Sequence, residues 1–427
     1  MKKFFLLSCM CLAFGSDLYS QNETKNSSDW KFTGQAQIRT EYDGRDFNND
    51  TYMYNFTSSR IRFAAEKTIF NDVTGFIQMQ DSRLLGNENN TIANFKNLDL
   101  HQGYIRIDNI FNAPIWVQAG RFKMKYGTER WISYNEFSYI SRAFDGIRAG
   151  YKSDDVNVDV FYTIVEPSVE ILSTGTPSKY PYNAIQDTSV TASGLWADFK
   201  INKSHSINAM LMMENDNKKI STDQILKRYT TGLSYNYNYY GFKALAEFAY
   251  QFGTQSNTDI SAYNFALEAS YNFDPIKVGA TIDMFSGAKS DDKEVKAFVR
   301  PFGAGHKFFG YMDYFPAIFS KTAVNPGMND FVLNFEYKTP DKPFYINVDL
   351  HYFMTNKEYE MKDTKKSSSV GQEIDLKFGY HVVKGAVVEL GASAFIAGDV
   401  MKDAFKTTEG ERKDPGVWTY LQLKVDL

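Results

Sequence analysis

The chain has 427 residues, 43% hydrophobic and 16% aromatic, with a mean hydropathy of −0.40. Beyond the N-terminus no apolar run approaches the roughly 18 to 20 residues that a membrane-spanning helix needs. Its 47 basic and 51 acidic side chains give a net charge of −4, with nothing of the basic balance of a nucleic-acid binder.

The first segment reads as a secretory signal over residues 1–20. Lys2 and Lys3 form the basic start, Phe4 to Phe14 the apolar core, and Ser20 is a small residue suited to cleavage before Gln21. Leu6-Leu7-Ser8-Cys9 faintly resembles a lipoprotein box, but lies too near the start to leave a normal apolar core. Both cysteines, Cys9 and Cys11, fall inside this segment, so the mature chain can hold no disulfide, thiol nucleophile or cysteine metal site. Cleavage also removes Lys2, Lys3 and Asp17, which leaves 45 basic against 50 acidic side chains, a net charge of −5.

From residue 21 to 427 the dominant signal is alternation, read here as one domain. Trp30, Phe32, Gly34, Ala36 and Ile38 share one face, and Lys31, Thr33, Gln35, Gln37 and Arg39 the other. Phe344, Ile346, Val348, Leu350 and Tyr352 stand against Asn347, Asp349 and His351, and Leu421, Leu423, Val425 and Leu427 against Gln422, Lys424 and Asp426. A period of two means strands with unlike faces. The apolar faces carry no charge, as expected where a charge meeting lipid costs about 2–4 kcal/mol at the bilayer midplane.

About 18 strands are expected, near 30–41, 54–68, 72–84, 97–109, 114–125, 143–152, 155–165, 189–201 and 206–215, then 227–238, 241–253, 261–273, 276–287, 330–338, 343–355, 371–382, 385–397 and 416–427. Short turns at Asn71-Asp72, Ser153-Asp154, Tyr239-Tyr240, Asp274-Pro275, Pro340 to Lys342 and Lys384-Gly385 alternate with longer segments at 42–53, 126–142, 166–188, 288–329, 356–370 and 398–415. Turns on one rim and loops on the other predict an all-β, transmembrane, antiparallel up-and-down β-barrel, multi-pass in a bacterial outer membrane, with both termini on the periplasmic side. The longest segment, 288–329, is rich in Gly and Pro and is expected to fold back as a constriction.

Most chemical motifs are weak. Asp46-Phe47-Asn48-Asn49-Asp50 begins like a calcium loop, but Thr51 and Thr57 stand where glycine and glutamate belong. Gly303-Ala304-Gly305-His306-Lys307 lacks the spacing of a phosphate loop. The five histidines are scattered, without zinc spacing, and no nucleophile elbow occurs; neither a metal, a cofactor nor an enzymatic activity is expected. The arginines carry more. Arg39, Arg60, Arg62, Arg106, Arg121 and Arg148 all sit in expected strands, several opposite an apolar face, and in a barrel these point into the lumen. They can offer weak sites to an anionic solute, or brace the wall against Glu41, Glu66, Asp108 or Asp145.

The stretch Gly120-Arg121-Phe122-Lys123-Met124-Lys125-Tyr126-Gly127-Thr128-Glu129-Arg130-Trp131, followed by Ser141-Arg142-Ala143-Phe144-Asp145-Gly146-Ile147-Arg148, resembles the signature of the alginate export family of outer-membrane porins. Gly305-His306-Lys307-Phe308-Phe309-Gly310-Tyr311-Met312-Asp313 and Gly371-Gln372-Glu373-Ile374-Asp375-Leu376, with the closing Trp418 to Leu423, add further matches. The resemblance implies an 18-stranded barrel whose arginines select an anionic polysaccharide. Arg121, Arg130, Arg142 and Arg148 match the motif, with Glu129 and Asp145 as supporting carboxylates; alternation adds Arg62 and Arg106. His306, Lys307, Tyr311 and Asp313 are the constriction-loop candidates. The chain departs from the pattern in the acidic residues of its lumen faces (Glu336, Asp349, Glu373, Asp375, Glu389) and in Leu427, where such barrels usually end in Phe or Trp. The expected partners are outer-membrane lipid and lipopolysaccharide, the barrel-assembly machinery, and an anionic sugar or oligosaccharide moving by passive diffusion. A general or differently selective porin, a barrel-based adhesin and an outer-membrane hydrolase remain alternatives.

Overall fold

A computed structural model describes residues 29–45, 53–87, 97–167, 189–217, 225–317, 324–339, 341–404 and 415–427. The expected signal segment and the calcium-loop-like Asp46 to Asp50 lie outside them. Nine strands make the first half: β1 (Lys31–Gly44), β2 (Tyr54–Ile69), β3 (Val73–Leu84), β4 (Leu98–Ile107), β5 (Ile115–Phe122), β6 (Phe144–Lys152), β7 (Val156–Glu166), β8 (Val190–Lys200) and β9 (His205–Asp216). Nine more follow: β10 (Leu226–Tyr239), β11 (Phe242–Gln255), β12 (Thr258–Asn272), β13 (Ile276–Phe285), β14 (Met328–Lys338), β15 (Phe344–Glu360), β16 (Lys366–Val383), β17 (Ala386–Ala397) and β18 (Gly416–Asp426).

Each strand pairs antiparallel with its neighbours in sequence, and β1 pairs with β18, so one 18-stranded sheet closes on itself. Closure leaves no unpaired edge, which is what a sheet in hydrocarbon requires. The seam sets Ala36 against Val425 and Ile38 against Leu423 on one face, and Gln37 against Lys424 and Arg39 against Gln422 on the other. That register keeps the apolar residues outside: Ile61, Ile105, Leu233, Leu333, Ile374 and Leu421 are all exposed on the outer wall. Aromatic side chains edge this band, Trp30, Phe32, Tyr239 and Phe273 towards the turn rim and Tyr42 and Tyr54 towards the loop rim, as at the interfaces of membrane barrels. Among the described residues no helix is long and apolar enough to cross a membrane; the strands do so.

Two expected boundaries move. The β10–β11 turn is Tyr240-Gly241, both at positive φ, one residue later than Tyr239-Tyr240. The segment 356–370, expected as a loop, is mostly strand, because β15 runs to Glu360 and β16 begins at Lys366. Register shifts between Phe353 and Tyr359, and the polar run Lys366 to Ser369, blur the alternation there.

The closed ladder predicts a practical signature. In SDS without heating the protein is expected to stay folded and run faster than after boiling, with a β-type circular dichroism spectrum. A helical spectrum and a single unfolded band in both lanes would contradict the barrel.

Candidate functional site

Two loop-side connections build the site: residues 123–143, between β5 and β6, and the described part of 286–327, between β13 and β14. Both turn inward and are tied to each other. Ile132 and Phe302 form a parallel bridge, the Ser133 N–H donates to Phe302 O at 2.8 Å, and the Ala304 N–H donates to Glu129 O at 3.0 Å. Arg142 completes the joint, its Nη1 donating to Ser133 O (2.8 Å) and Phe302 O (2.6 Å).

Each loop is also latched to the wall. Arg130, fully buried, reaches three carboxylates: Glu268 at 2.6 Å, Glu247 at 3.0 Å and Asp283 at 3.2 Å. Trp131 donates its indole N–H to Asn264 Oδ1 at 3.0 Å. On the other loop the Met312 N–H donates to Glu373 Oε1 (2.9 Å) and the Tyr311 N–H to Asp375 Oδ2 (3.1 Å). Gly310 has φ 76, and a Cβ there would lie 2.4 Å from the Glu373 carboxylate, so the close approach requires glycine. His306 lies 3.0 Å from Asp313 and stacks between Phe137 and Tyr311.

The lumen face is not uniformly polar. Phe122, Phe144, Phe161, Trp196, Met210, Phe353, Phe395 and Trp418 of the wall pack in one cluster with Phe298, Phe302, Phe309, Met312 and Phe315 of the inward loop. Burial of that apolar area, at about 25 cal/mol per Å², holds the loops inside the barrel.

Beside this core lies a charged wall. Arg60 and Arg62 of β2 reach Glu136 at 2.8 and 2.6 Å, and Lys123 reaches it at 3.1 Å. Arg60 also donates to the carbonyls of Glu136 and Ser138, and Arg39 to that of Phe137. Burial pushes the Glu136 carboxyl up, but Arg60, Lys123 and Arg62 outweigh it and hold the group at about 2. Burial lowers Lys123 to about 8, with Glu136 pulling the other way. The accessible cations are lysines. Lys125 and Lys307 are each half exposed and share Glu129, at 3.5 and 3.1 Å.

The expected site residues therefore divide. Arg62 faces the lumen, as do Arg106, paired with Asp108 at 2.7 Å, and Arg148, paired with Asp159 at 3.3 Å; the last two flank Trp116. Arg130, Arg142, Glu129, His306, Lys307, Tyr311 and Asp313 come together in the inward loops. Arg121 and Asp145, expected on the pore side, face outward. They are register partners on the face that carries Ala119 and Ile147, while Gln118, Phe122, Phe144 and Arg148 point in, and they pair at 2.7 Å. Lying one residue from the loop ends of β5 and β6, they sit where an outward charge costs only about 0–1 kcal/mol. Lys123, Lys125 and Glu136 were missed. Lys123 and Lys125 share the parity of the outward-facing Arg121, so alternation gave no signal that the loop would turn them inward.

A family model for alginate export matches residues 29–317, more than half of the chain and including both halves of the inter-loop joint as far as Phe302. The chain belongs to the alginate export family. Solved structures with the same fold include OccD3 (OpdP) of Pseudomonas aeruginosa, at 11% identity and TM-score 0.60, with 93% of this chain and 91% of that one covered. OccAB4 of Acinetobacter baumannii is similar at 9% identity and TM-score 0.58, covering 94% and 98%. OccK3 (OpdO) of P. aeruginosa follows at 13% and 0.57, covering 93% and 95%. No curated protein matches the chain. This member of the alginate export family is a multi-pass barrel of the bacterial outer membrane and serves as a channel.

Proposed function

We propose that the channel passes anionic sugars or short acidic oligosaccharides by diffusion, selected by a strip of lysines rather than by free arginines. The observation that carries this reading is the run Lys307, Lys125 and Lys123 along the inward loops, backed by Arg60 and Arg62 and paired with Glu129 and Glu136. Within these ion pairs five cations meet two carboxylates, and the half-exposed lysines are the part a solute can meet. Weak, multiple contacts of this kind let a solute enter and still leave. The arginines act behind the strip, holding the loop in place.

The test is the reversal potential across a salt gradient. The double change Lys125→Gln and Lys307→Gln is expected to lower the anion-to-cation permeability ratio by about twofold or more at 0.01 M salt, where screening extends to about 30 Å, and less at 1 M. Cation preference in the unaltered channel would overturn the reading and favour the carboxylates of β14 and β15, Glu336 and Asp349.

Lys123 adds a pH dependence. Its charge is present below about 8 and lost above it, so anion preference should fall between pH 7 and 9. In Lys123→Gln that fall should disappear; a fall of equal size would assign the titration to another group.

A further inference from the structure

The tip of the inward β13–β14 loop rests on a buried charge cluster that takes no part in the lysine strip. Alternation turns Asp330 of β14, His351 of β15, and Glu373 and Asp375 of β16 into the lumen, and the register sets His351 beside Glu373 and Asp349 beside Asp375. Asp330, Glu373 and Asp375 are only 2%, 3% and 1% exposed. The loop covers two of these carboxylates, with the Tyr311 N–H on Asp375, the Met312 N–H on Glu373, and Gly310 pressed against Glu373 where no side chain would fit.

His351 ties the cluster together. Its Nδ1 donates to both carboxylate oxygens of Asp330 at 3.0 Å, and its Nε2 faces Asp375 Oδ2 at 3.5 Å. A neutral imidazole has one N–H, so a carboxylate at each ring nitrogen calls for the doubly protonated, positive form. The other charged groups around it are engaged elsewhere. Asp349 accepts from Asn334, Asp313 pairs with His306 inside the loop, and Arg130 is shared by Glu247, Glu268 and Asp283. Lys377 packs over the Tyr311 ring at 5.5 Å. From β17, Ser393 is the register partner of Asp375, while Glu389 accepts from Tyr345 and Tyr420. Among the described residues, His351 is the one cation within ion-pair reach of Asp330 and Asp375.

We propose that His351 is a proton-operated catch for the inward loop. Protonated, it offsets Asp330 and Asp375 and keeps the seat of the loop tip intact. Once the proton is lost, three buried carboxylates remain without a cation in contact. Buried charge of that kind is relieved by water, and the cover that keeps water out is the loop tip itself. The tip then lifts from Glu373 and Asp375 and the pore widens. The channel thus has an alkaline-opening switch between two loop positions, distinct from the lysine strip that sets which ions pass.

The experiment is single-channel conductance in a planar bilayer as a function of pH, recorded in Lys123→Gln protein so that this lysine does not titrate. Conductance should rise by about twofold or more between about pH 6 and about pH 10, as the imidazole loses its proton and the loop moves. In His351→Gln, which cannot carry the charge, the step should vanish, and conductance at the lower pH should match the raised level of the parent. Asp375→Asn keeps an acceptor for the Tyr311 N–H but removes one of the two anions that hold the proton, so the step should move to lower pH by about one unit. The heat-shift on gels checks that each variant keeps the barrel. Conductance flat with pH in the parent, or a step that survives His351→Gln, would overturn the catch; survival there with loss in His306→Gln would assign the titration to the loop's own histidine. The reversal potential, read in the same recordings, reports the lysine strip separately, so the two readings fail independently.

Discussion

Excision of residues 296–317, closed by a short glycine linker, is expected to raise single-channel conductance severalfold. The segment supplies Phe298, Phe302, Phe309, Met312 and Phe315 to the apolar cluster that the inward loops form with the wall. None of these residues belongs to the barrel ladder, whose pairings run unbroken from β1 to β18 and back. The wall should therefore survive, and the heat-shift on gels should persist, while the obstruction goes. Rings such as Trp418 and Phe395 would then face water, so some loss of thermal stability should accompany the wider pore. Conductance equal to that of the full chain would mean that ions pass elsewhere.

The second large effect is expected at Arg130. Replacing it by methionine keeps the apolar stem and removes the guanidinium, which leaves Glu247 and Asp283 buried without their counter-charge. Breaking a buried ion pair from one side costs about 3–5 kcal/mol. The loop can relieve that cost by pulling away and letting water reach the carboxylates. Arg130→Met should thus give a noisier, larger conductance and a lower melting temperature. Glu268→Gln, at the more exposed arm of the same cluster, should do much less. A quiet channel of normal size in Arg130→Met would show that the apolar contacts alone hold the loop.

The barrel was legible because a strand between lipid and water must alternate, and its eighteen segments do so almost throughout. Alternation failed only where register shifts or polar runs blur the two faces, as around Phe353 to Ser369. The site was less legible for a different reason. Alternation says which way a strand residue points but not what a loop brings to meet it. Arg60 and Arg62 look alike in sequence to free selectivity charges, yet Glu136, some seventy residues away, is folded onto both. Arg121 belongs to the family motif yet lies outside the pore, because its parity with Ala119 turns it outward. The inward aromatic residues were hidden in the same way: one Phe or Trp on a polar face reads as an exception until the loop that covers it is in place.

The partners of the β5–β6 loop bear on how the channel is made. Thr128 meets Glu247, 119 residues further on, and Arg130 meets Glu268, 138 further on, while Trp418 donates to Glu41 across 377 residues. Contacts so distant in sequence form only after the strands that carry them have been laid side by side. The β5–β6 loop can therefore take its seat only once β11 and β12, which carry Glu247 and Glu268, are in place.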